Sequence, residues 1–222
     1  MTPYIVPIAA AVMAVSGSVA LAQQAATPSP SATGMGMHES KREAADELEM
    51  AMRKLWEDHI TYTRNYIISA LADLPDGDAV AKRLLRNQDN IGEAIEPYYG
   101  DNAAKKLSSL LRDHIIIATE VVKAAKAGNK PELAAAQKKW LDNAKEIAAF
   151  LSSANPHWSK KDLEEMLETH LNLTTGEVVG RLNKDWPADI KAYDDGHVHM
   201  LKFADVLSNG IEKQFPDKFK TK

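Results

Sequence analysis

The sequence contains no cysteine in its 222 residues. Without a thiol the chain cannot form a disulfide, carry a lipid on cysteine, attach a c-type haem or hold zinc through thiolates. It also lacks a basic block, because 27 lysines and arginines stand against 31 aspartates and glutamates for a net charge of −4. That balance argues against a nucleic-acid partner. No apolar stretch after residue 22 is long enough to span a membrane.

The first residues have a composition typical of a secretion signal. A run of apolar and small residues ends in Ala20-Leu21-Ala22, a small-x-small sequence of the kind that signal peptidases cleave. Basic residues usually precede such a run, and here none do. We predict a signal peptide over 1–22 and a periplasmic or extracellular protein that begins at Gln23. An uncleaved membrane anchor is the alternative.

The rest of the chain is divided by its composition into a tether and a helical domain. Residues 23–40 are rich in proline, serine, alanine and glycine, which predicts a disordered tether. Beyond them, apolar residues recur at spacings of three and four between prolines and glycines, as in amphipathic helices. The predicted helices are 41–73, 78–96, 102–127, 131–154, 159–183 and 187–213. Their short joints predict an all-α antiparallel bundle in one domain over 41–215, with a tail at 216–222.

Three of the seven histidines share one sequence frame. His59, His114 and His170 each stand four residues after a large apolar residue, directly before isoleucine or leucine, and four residues before threonine or alanine. Residues four apart lie on one face of a helix, so each histidine takes a position on the core stripe. The last predicted helix adds Asp194 and His197, three residues apart, on another apolar stripe.

Imidazoles that project inward from different helices suit a metal site, because neutral imidazole binds Zn, Cu, Fe and Ni. We therefore expect a binding protein that holds a transition-metal ion through His59, His114, His170 and either His197 or Asp194. Tryptophan or leucine stands three residues before each of the first three histidines. The Glu-x-x-His pair of di-iron carboxylate bundles is therefore absent.

Two other interpretations remain open. In the first, the protein is a non-catalytic structural or interaction module whose core histidines are hydrogen-bonded and tie helices together. In the second, the bundle binds haem b through two histidines or through His170 and Met200. The sequence has no Ser-His-Asp order, glycine-rich phosphate loop or His-Glu-x-x-His motif, so an enzyme is not favoured. A small ligand, a protein partner or a homo-oligomer is compatible with all three interpretations.

Several segments of the chain resemble a known family. They are Trp56–Ser69, Arg83–Asn87, Pro97–Gly100, Phe150–Pro156 and Trp158–His170. Together they are similar to a family of secreted bacterial all-helical proteins of unknown function, some of which carry names such as glycosyltransferase or acetylglutamate kinase. The resemblance covers about residues 50–215 and implies an all-helical domain without implying catalytic residues. The chain lacks the Rossmann pattern and the phosphate loop that those enzyme names would require.

Overall fold

The computed structural model describes residues 33–219, with side chains described from residue 43 onward. The elements are α1 (Thr33–Leu71), α2 (Gly77–Tyr99), α3 (Asp101–Ala127), α4 (Lys130–Ala154), α5 (Lys160–Leu182), α6 (Trp186–Gln214) and a 3-10 helix (Pro216–Phe219). The described residues contain no strand, and the prediction of an all-α bundle is confirmed. The predicted signal peptide and the first part of the predicted tether lie outside the described residues.

The helix starts follow from local sequence. Asn129, Ser159 and Asp185 each accept a hydrogen bond from the backbone N–H three residues later, so they cap α4, α5 and α6. Pro131 and Pro187 lie in the first turns of α4 and α6. Backbone N–H groups have no helical partner in a first turn, so proline removes no hydrogen bond there. These five positions explain why short joints separate the later helices.

The structure differs from the predicted boundaries at three places. Helix α1 begins at Thr33, inside the segment predicted as a tether, and α2 continues through Pro97 to Tyr99. The segment predicted as a tail begins with the 3-10 helix, whose Phe219 is only 3% exposed and stacks 5.9 Å from the ring of Tyr98. The gain from burying that aromatic ring explains why the chain packs back onto the bundle after Pro216.

Helix α3 shows how an amphipathic pattern orients a helix in the bundle. On α3, Leu107, Leu111 and Ile115 follow one another at four-residue spacing and are buried, whereas Ser109 and Asp113 between them are exposed. Such a stripe can be buried only against other helices. Between Thr33 and Phe219, no helix has both the length and the uninterrupted apolar character needed to cross a membrane.

One main core lies at the centre of the bundle. Consecutive helices pack against each other, and α1 also packs against α6, so the six helices close on themselves. Trp56 of α1 meets Phe203 of α6 edge to face, with ring centroids 5.0 Å apart. Trp158, just before α5, donates from Nε1 to the carbonyl of Val206, 3.1 Å away. Gly210 permits this approach, because a Cβ there would lie 1.9 Å from that indole nitrogen.

Candidate functional site

The structure brings three of the predicted ligands together in the core. His59 on α1, His114 on α3 and His170 on α5 are 2%, 3% and 2% exposed. The Nε2 atoms of His59 and His170 are 3.5 Å apart, and the ring centroids of His114 and His170 are 6.0 Å apart. Short joints reverse the chain between consecutive helices, so α1, α3 and α5 run in the same direction. The three imidazoles lie close together in the core, in a layer we call the histidine cluster.

The other two predicted ligands, His197 and Asp194, do not join the histidine cluster. Asp194 is exposed, and Nε2 of His197 lies 3.3 Å from Oε1 of Glu57 at the surface. The apolar stripe on which they were placed faces solvent, since Ile190 is 52% exposed, and the buried stripe of α6 runs through Met200 instead. Within the described part of the chain, no group of three or more histidine, aspartate or glutamate residues has metal-binding geometry.

Hydrogen bonds from Asn143 and Trp140 determine which nitrogen of His114 carries the proton. Nδ2 of Asn143 donates to the carbonyl of Leu110, 3.1 Å away, so Oδ1 is the atom that lies 2.8 Å from Nδ1 of His114. An amide oxygen only accepts, and Nδ1 of His114 must therefore donate to it. Nε2 is then the acceptor, and Nε1 of Trp140 donates to it across 3.1 Å. Both nitrogens of His114 are thus satisfied within the protein.

The amide of Gln88 determines the proton position of His59 in the same way. Nε2 of Gln88 donates to the carbonyl of Leu84 at 2.9 Å and to Oδ1 of Asn87 at 3.1 Å. With two oxygen acceptors beside it, this atom is the amide nitrogen. Its two N–H groups face three acceptors, so Nδ1 of His59, 3.3 Å away, accepts from an N–H that is shared with one of the oxygens. The proton of His59 is therefore on Nε2, the atom that faces His170.

His170 is the last member of this hydrogen-bonded chain. Its Nε2 accepts from His59, which leaves its own proton on Nδ1. Nδ1 is buried and has no hydrogen-bond partner among the residues that the structure describes. Oγ1 of Thr63, one helical turn after His59, is buried and unpaired in the same sense. Nε1 of Trp56 and Oε1 of Gln88, both beside His59, are unpaired as well. Leaving a buried polar group without a partner costs about 1–3 kcal/mol, so four of them in one region need an explanation.

Burial keeps the imidazoles of the histidine cluster uncharged at neutral pH. Desolvation lowers the pKa of His59 to about 3, and repulsion from His114 acts in the same direction. Desolvation also lowers the pKa of His114 to about 4, although its hydrogen bond to Asn143 acts against that shift. For His170 the pKa falls well below the ordinary value of 6.5, through burial first and the neighbouring histidines second.

A cavity of about 90 Å³ lies beside the histidine cluster. His59, His114, His170 and Thr63 all contribute to its wall. Much of the remaining wall is apolar and includes Ile67, Leu84, Ile115, Val121, Val122 and Val178. The lining continues to Gln137 on α4 and Val179 on α5, which are both exposed. The cavity therefore extends from the imidazoles toward the surface between α4 and α5.

A cluster of buried ion pairs, which the sequence analysis missed, joins α1, α5 and α6. Arg64 binds both carboxylate oxygens of Asp189, one of them at 2.9 Å from Nη2, and its Nη1 lies 3.2 Å from Oε2 of Glu177. Nη1 of Arg181 also reaches Asp189, at 3.0 Å. Burial raises the pKa of Glu177 to about 7, even though Arg64 acts in the opposite direction. Gly180 permits this close contact of α5 with α6, because a Cβ there would lie 2.7 Å from the backbone nitrogen of Asp189.

A sequence signal for one member of this cluster existed. Glu177 follows His170 and Thr174 at helical spacing, so it lies on the same buried stripe of α5. The signal for Asp189 was misleading, because an acidic residue in the first turn of a helix is expected from the helix dipole alone. Asp189 is nevertheless only 1% exposed.

Comparison with known proteins finds no similarity that would identify the chain. No family model, no curated protein sequence and no solved structure matches it. The resemblance of segments between residues 50 and 215 to a family of secreted helical proteins therefore stays a prediction.

Proposed function

We propose that this protein binds a small, largely apolar molecule in the cavity beside the histidine cluster. The observation that carries the proposal is a largely apolar cavity of about 90 Å³ beside buried imidazoles, one of which, His170, has a nitrogen without a hydrogen-bond partner among the described residues. Protein interiors have few voids larger than a water molecule, and their polar groups are nearly always paired. Departures from both rules at one place are typical of a binding site. We place this activity in the periplasm or outside the cell, where the predicted signal peptide would direct the chain.

The cavity limits the size of the ligand. An apolar cavity of about 150 Å³ accepts benzene, which has six non-hydrogen atoms, so a cavity of about 90 Å³ suits a molecule of about four. Haem b is far larger than benzene, and the cavity gives the haem hypothesis no support. The hypothesis of a purely structural histidine layer explains His114, whose two nitrogens are both paired. It does not explain the empty volume or the unpaired nitrogen of His170.

Only two of the residues expected to bind a transition metal have a position and a nitrogen that could do so. His197 and Asp194 lie apart, and His114 has no free nitrogen, so His59 and His170 alone would hold the ion. Their Nε2 atoms are 3.5 Å apart, but the amide of Gln88 holds the proton of His59 on the nitrogen that would have to bind the metal. The hydrogen-bond network therefore favours a small organic ligand over a metal ion.

The experiment that tests this function is a titration with acetone and with 2-methylpropene. Both have about the size that the cavity admits, and methyl chemical shifts of the cavity residues and the fluorescence of Trp140 report binding. Ala118 lines the cavity, so Ala118→Leu should fill it and abolish binding. Ala135→Leu makes the same change at an exposed position of α4 and should have no effect.

Two results would contradict the proposed function. One is the absence of saturable shifts with either probe, which would leave ordered water as the occupant of the cavity. The other is binding that survives Ala118→Leu unchanged, which would place the probe elsewhere on the protein. A titration with Zn²⁺ or Cu²⁺ that broadens the imidazole signals of His59 and His170 at one equivalent would favour the metal hypothesis instead.

A further inference from the structure

We infer that the ligand of the cavity beside the histidine cluster is a single unbranched hydrocarbon chain, whose polar end stays at the surface between α4 and α5. This inference rests on the proposed function and names the chemical class of its ligand, a straight-chain amphiphile. It depends on three properties of the described residues. They are the elongated shape of the cavity, the pairing of the polar groups in its wall, and the position of its opening.

The cavity is longer than it is wide. A sphere of about 90 Å³ is about 5.6 Å across, close to the rise of about 5.4 Å in one helical turn. The lining of this cavity instead runs from His114 to Ala125 on α3 and from His170 to Val179 on α5, which are about three turns and about two and a half turns. The space is therefore drawn out along the helices. An unbranched chain follows such a space, whereas a branched or cyclic group of the same volume meets the wall.

The polar groups of the wall are occupied by the protein itself. Three threonines of the wall donate their hydroxyl groups to carbonyls of their own helices, and they are Thr119, Thr174 and Thr175. The hydroxyl of Tyr66 is hydrogen-bonded to Thr119. Nδ1 of His170 and Oγ1 of Thr63 are unpaired but fully enclosed by protein atoms, so a ligand in the cavity does not reach them. An oxygen of the ligand would lose its hydration there without finding a donor, so the part of the ligand inside the cavity is hydrocarbon.

The cavity opens onto an apolar surface. Val179 lines the cavity and is 48% exposed, and Gln137 on α4 lines it and is exposed as well. On α5, Thr174, Val178 and Leu182 follow one another at four-residue spacing, so Leu182 continues the stripe that faces the cavity. Leu182 is 39% exposed. A chain that emerges at this opening stays in contact with apolar side chains while its polar end reaches water.

Two isomeric alcohols test the shape of the ligand. Hexan-1-ol has an unbranched tail, whereas 3,3-dimethylbutan-1-ol has the same atoms and a tail that ends in a tert-butyl group. Dissociation constants come from chemical-shift titrations of the protein at pH 7. Hexan-1-ol should bind about fivefold tighter or more, because the wall of a narrow cavity must shift to admit the tert-butyl group. Equal affinities, or tighter binding of the branched isomer, would overturn the inference.

Nuclear Overhauser effects in the complex with hexan-1-ol test the direction of the chain. Trp140 lines the cavity beside His114, and Val179 lines it at the opening. The terminal methyl group of hexan-1-ol should contact the indole protons of Trp140, and the methylene group next to the hydroxyl should contact the methyl groups of Val179. A hydroxyl-bearing end beside Trp140 would overturn the claim that the polar end stays at the surface.

Two exposed valines provide a matched pair of variants. Val179 is 48% exposed at the opening, whereas Val198 on α6 is 53% exposed and does not line the cavity. Val179→Ser should weaken the binding of hexan-1-ol about threefold or more, and Val198→Ser should leave it unchanged. Both side chains are largely outside the core, so neither variant should unfold the protein. An unchanged affinity in Val179→Ser would overturn the assigned path of the chain.

The remaining outcomes separate this inference from the function on which it rests. Monomeric dihexanoylphosphatidylcholine carries two chains on one head, and it should bind no more tightly than hexan-1-ol because the cavity holds one chain. Tighter binding of this lipid would overturn the assignment to a single-chain ligand. Failure of both alcohols to bind, when acetone or 2-methylpropene binds, would overturn the inference and leave the proposed function intact. Failure of every probe to bind would overturn the proposed function itself.

Discussion

Acidification from pH 7 to pH 5 should destabilise this bundle through the buried histidine cluster. The pKa is about 3 for folded His59, about 4 for folded His114 and well below 6.5 for His170, against an ordinary value of 6.5. A group whose folded pKa is depressed contributes stability above its unfolded pKa, and that stability is lost as the pH falls toward the folded pKa. Below pH 6.5 these three histidines take up protons in the unfolded chain, whereas their buried imidazoles in the folded protein do not.

The size of the loss in unfolding free energy follows from the change in pH, from 7 to 5, and from the pKa values in the two states. Between pH 7 and pH 5, each imidazole that stays neutral in the fold costs about 2 kcal/mol, so the three together cost about 6 kcal/mol. Glu177 acts in the opposite direction, because its pKa is raised from 4.5 to about 7 in the folded protein. Its buried carboxylate destabilises the fold at pH 7, and protonation removes that cost as the pH falls. Its gain over the same window is about 2 kcal/mol, which leaves a net loss of about 4 kcal/mol.

Urea denaturation followed by circular dichroism at pH 7 and pH 5 measures this loss directly. A domain of ordinary stability, about 5–15 kcal/mol, would lose a large part of its free energy of unfolding. Glu177→Gln removes the opposing contribution, so the loss between the two pH values should rise to about 6 kcal/mol in that variant. A free energy of unfolding that is the same at both pH values in the wild type would refute the argument, since it would mean that the histidines take up protons in the folded state.

Three further predictions concern stability at pH 7, measured by the same denaturation assay. Asp189→Asn removes the carboxylate that pairs with Arg64 in the core and should cost about 3–5 kcal/mol; a loss below about 1 kcal/mol would show that the pair is solvated. Asn143→Leu leaves Nδ1 of His114 without its acceptor and should cost about 1–3 kcal/mol, and no change would contradict the assigned proton position. Gly210→Ala should destabilise by about 1–3 kcal/mol through a clash with an indole ring. Gly196→Ala, where the new Cβ meets only an ordinary contact, should stabilise the protein by up to about 1 kcal/mol. Equal effects of Gly210→Ala and Gly196→Ala would contradict the predicted clash at Gly210.

The helices of this bundle were predictable because their signals are local. Prolines at positions 131 and 187 and the capping side chain of Ser159 act within one turn of the backbone, so α4, α5 and α6 begin within one residue of the predicted starts. The segment after Pro216 was predicted as a tail because the burial of Phe219 depends on Tyr98, more than a hundred residues earlier. No local pattern encodes that contact.

The candidate site was only partly predictable for a related reason. Helical spacing places His59, His114 and His170 on core stripes, and all three are buried. The same reasoning failed for His197 and Asp194, because an apolar stripe on α6 that includes the exposed Ile190 does not face the core. Periodicity shows that a helix has an apolar face, but neighbouring helices decide which face is covered.

The sequence by itself determined the helices, their approximate ends and the core-facing positions of three histidines, because these depend on spacing along a single helix. Only the tertiary structure decided what the histidines do there. The amides of Gln88 and Asn143 come from other helices, and they assign the protons of His59 and His114 beside a cavity. Hydrogen-bond direction and empty volume depend on groups brought together from distant parts of the chain, and no residue spacing encodes them.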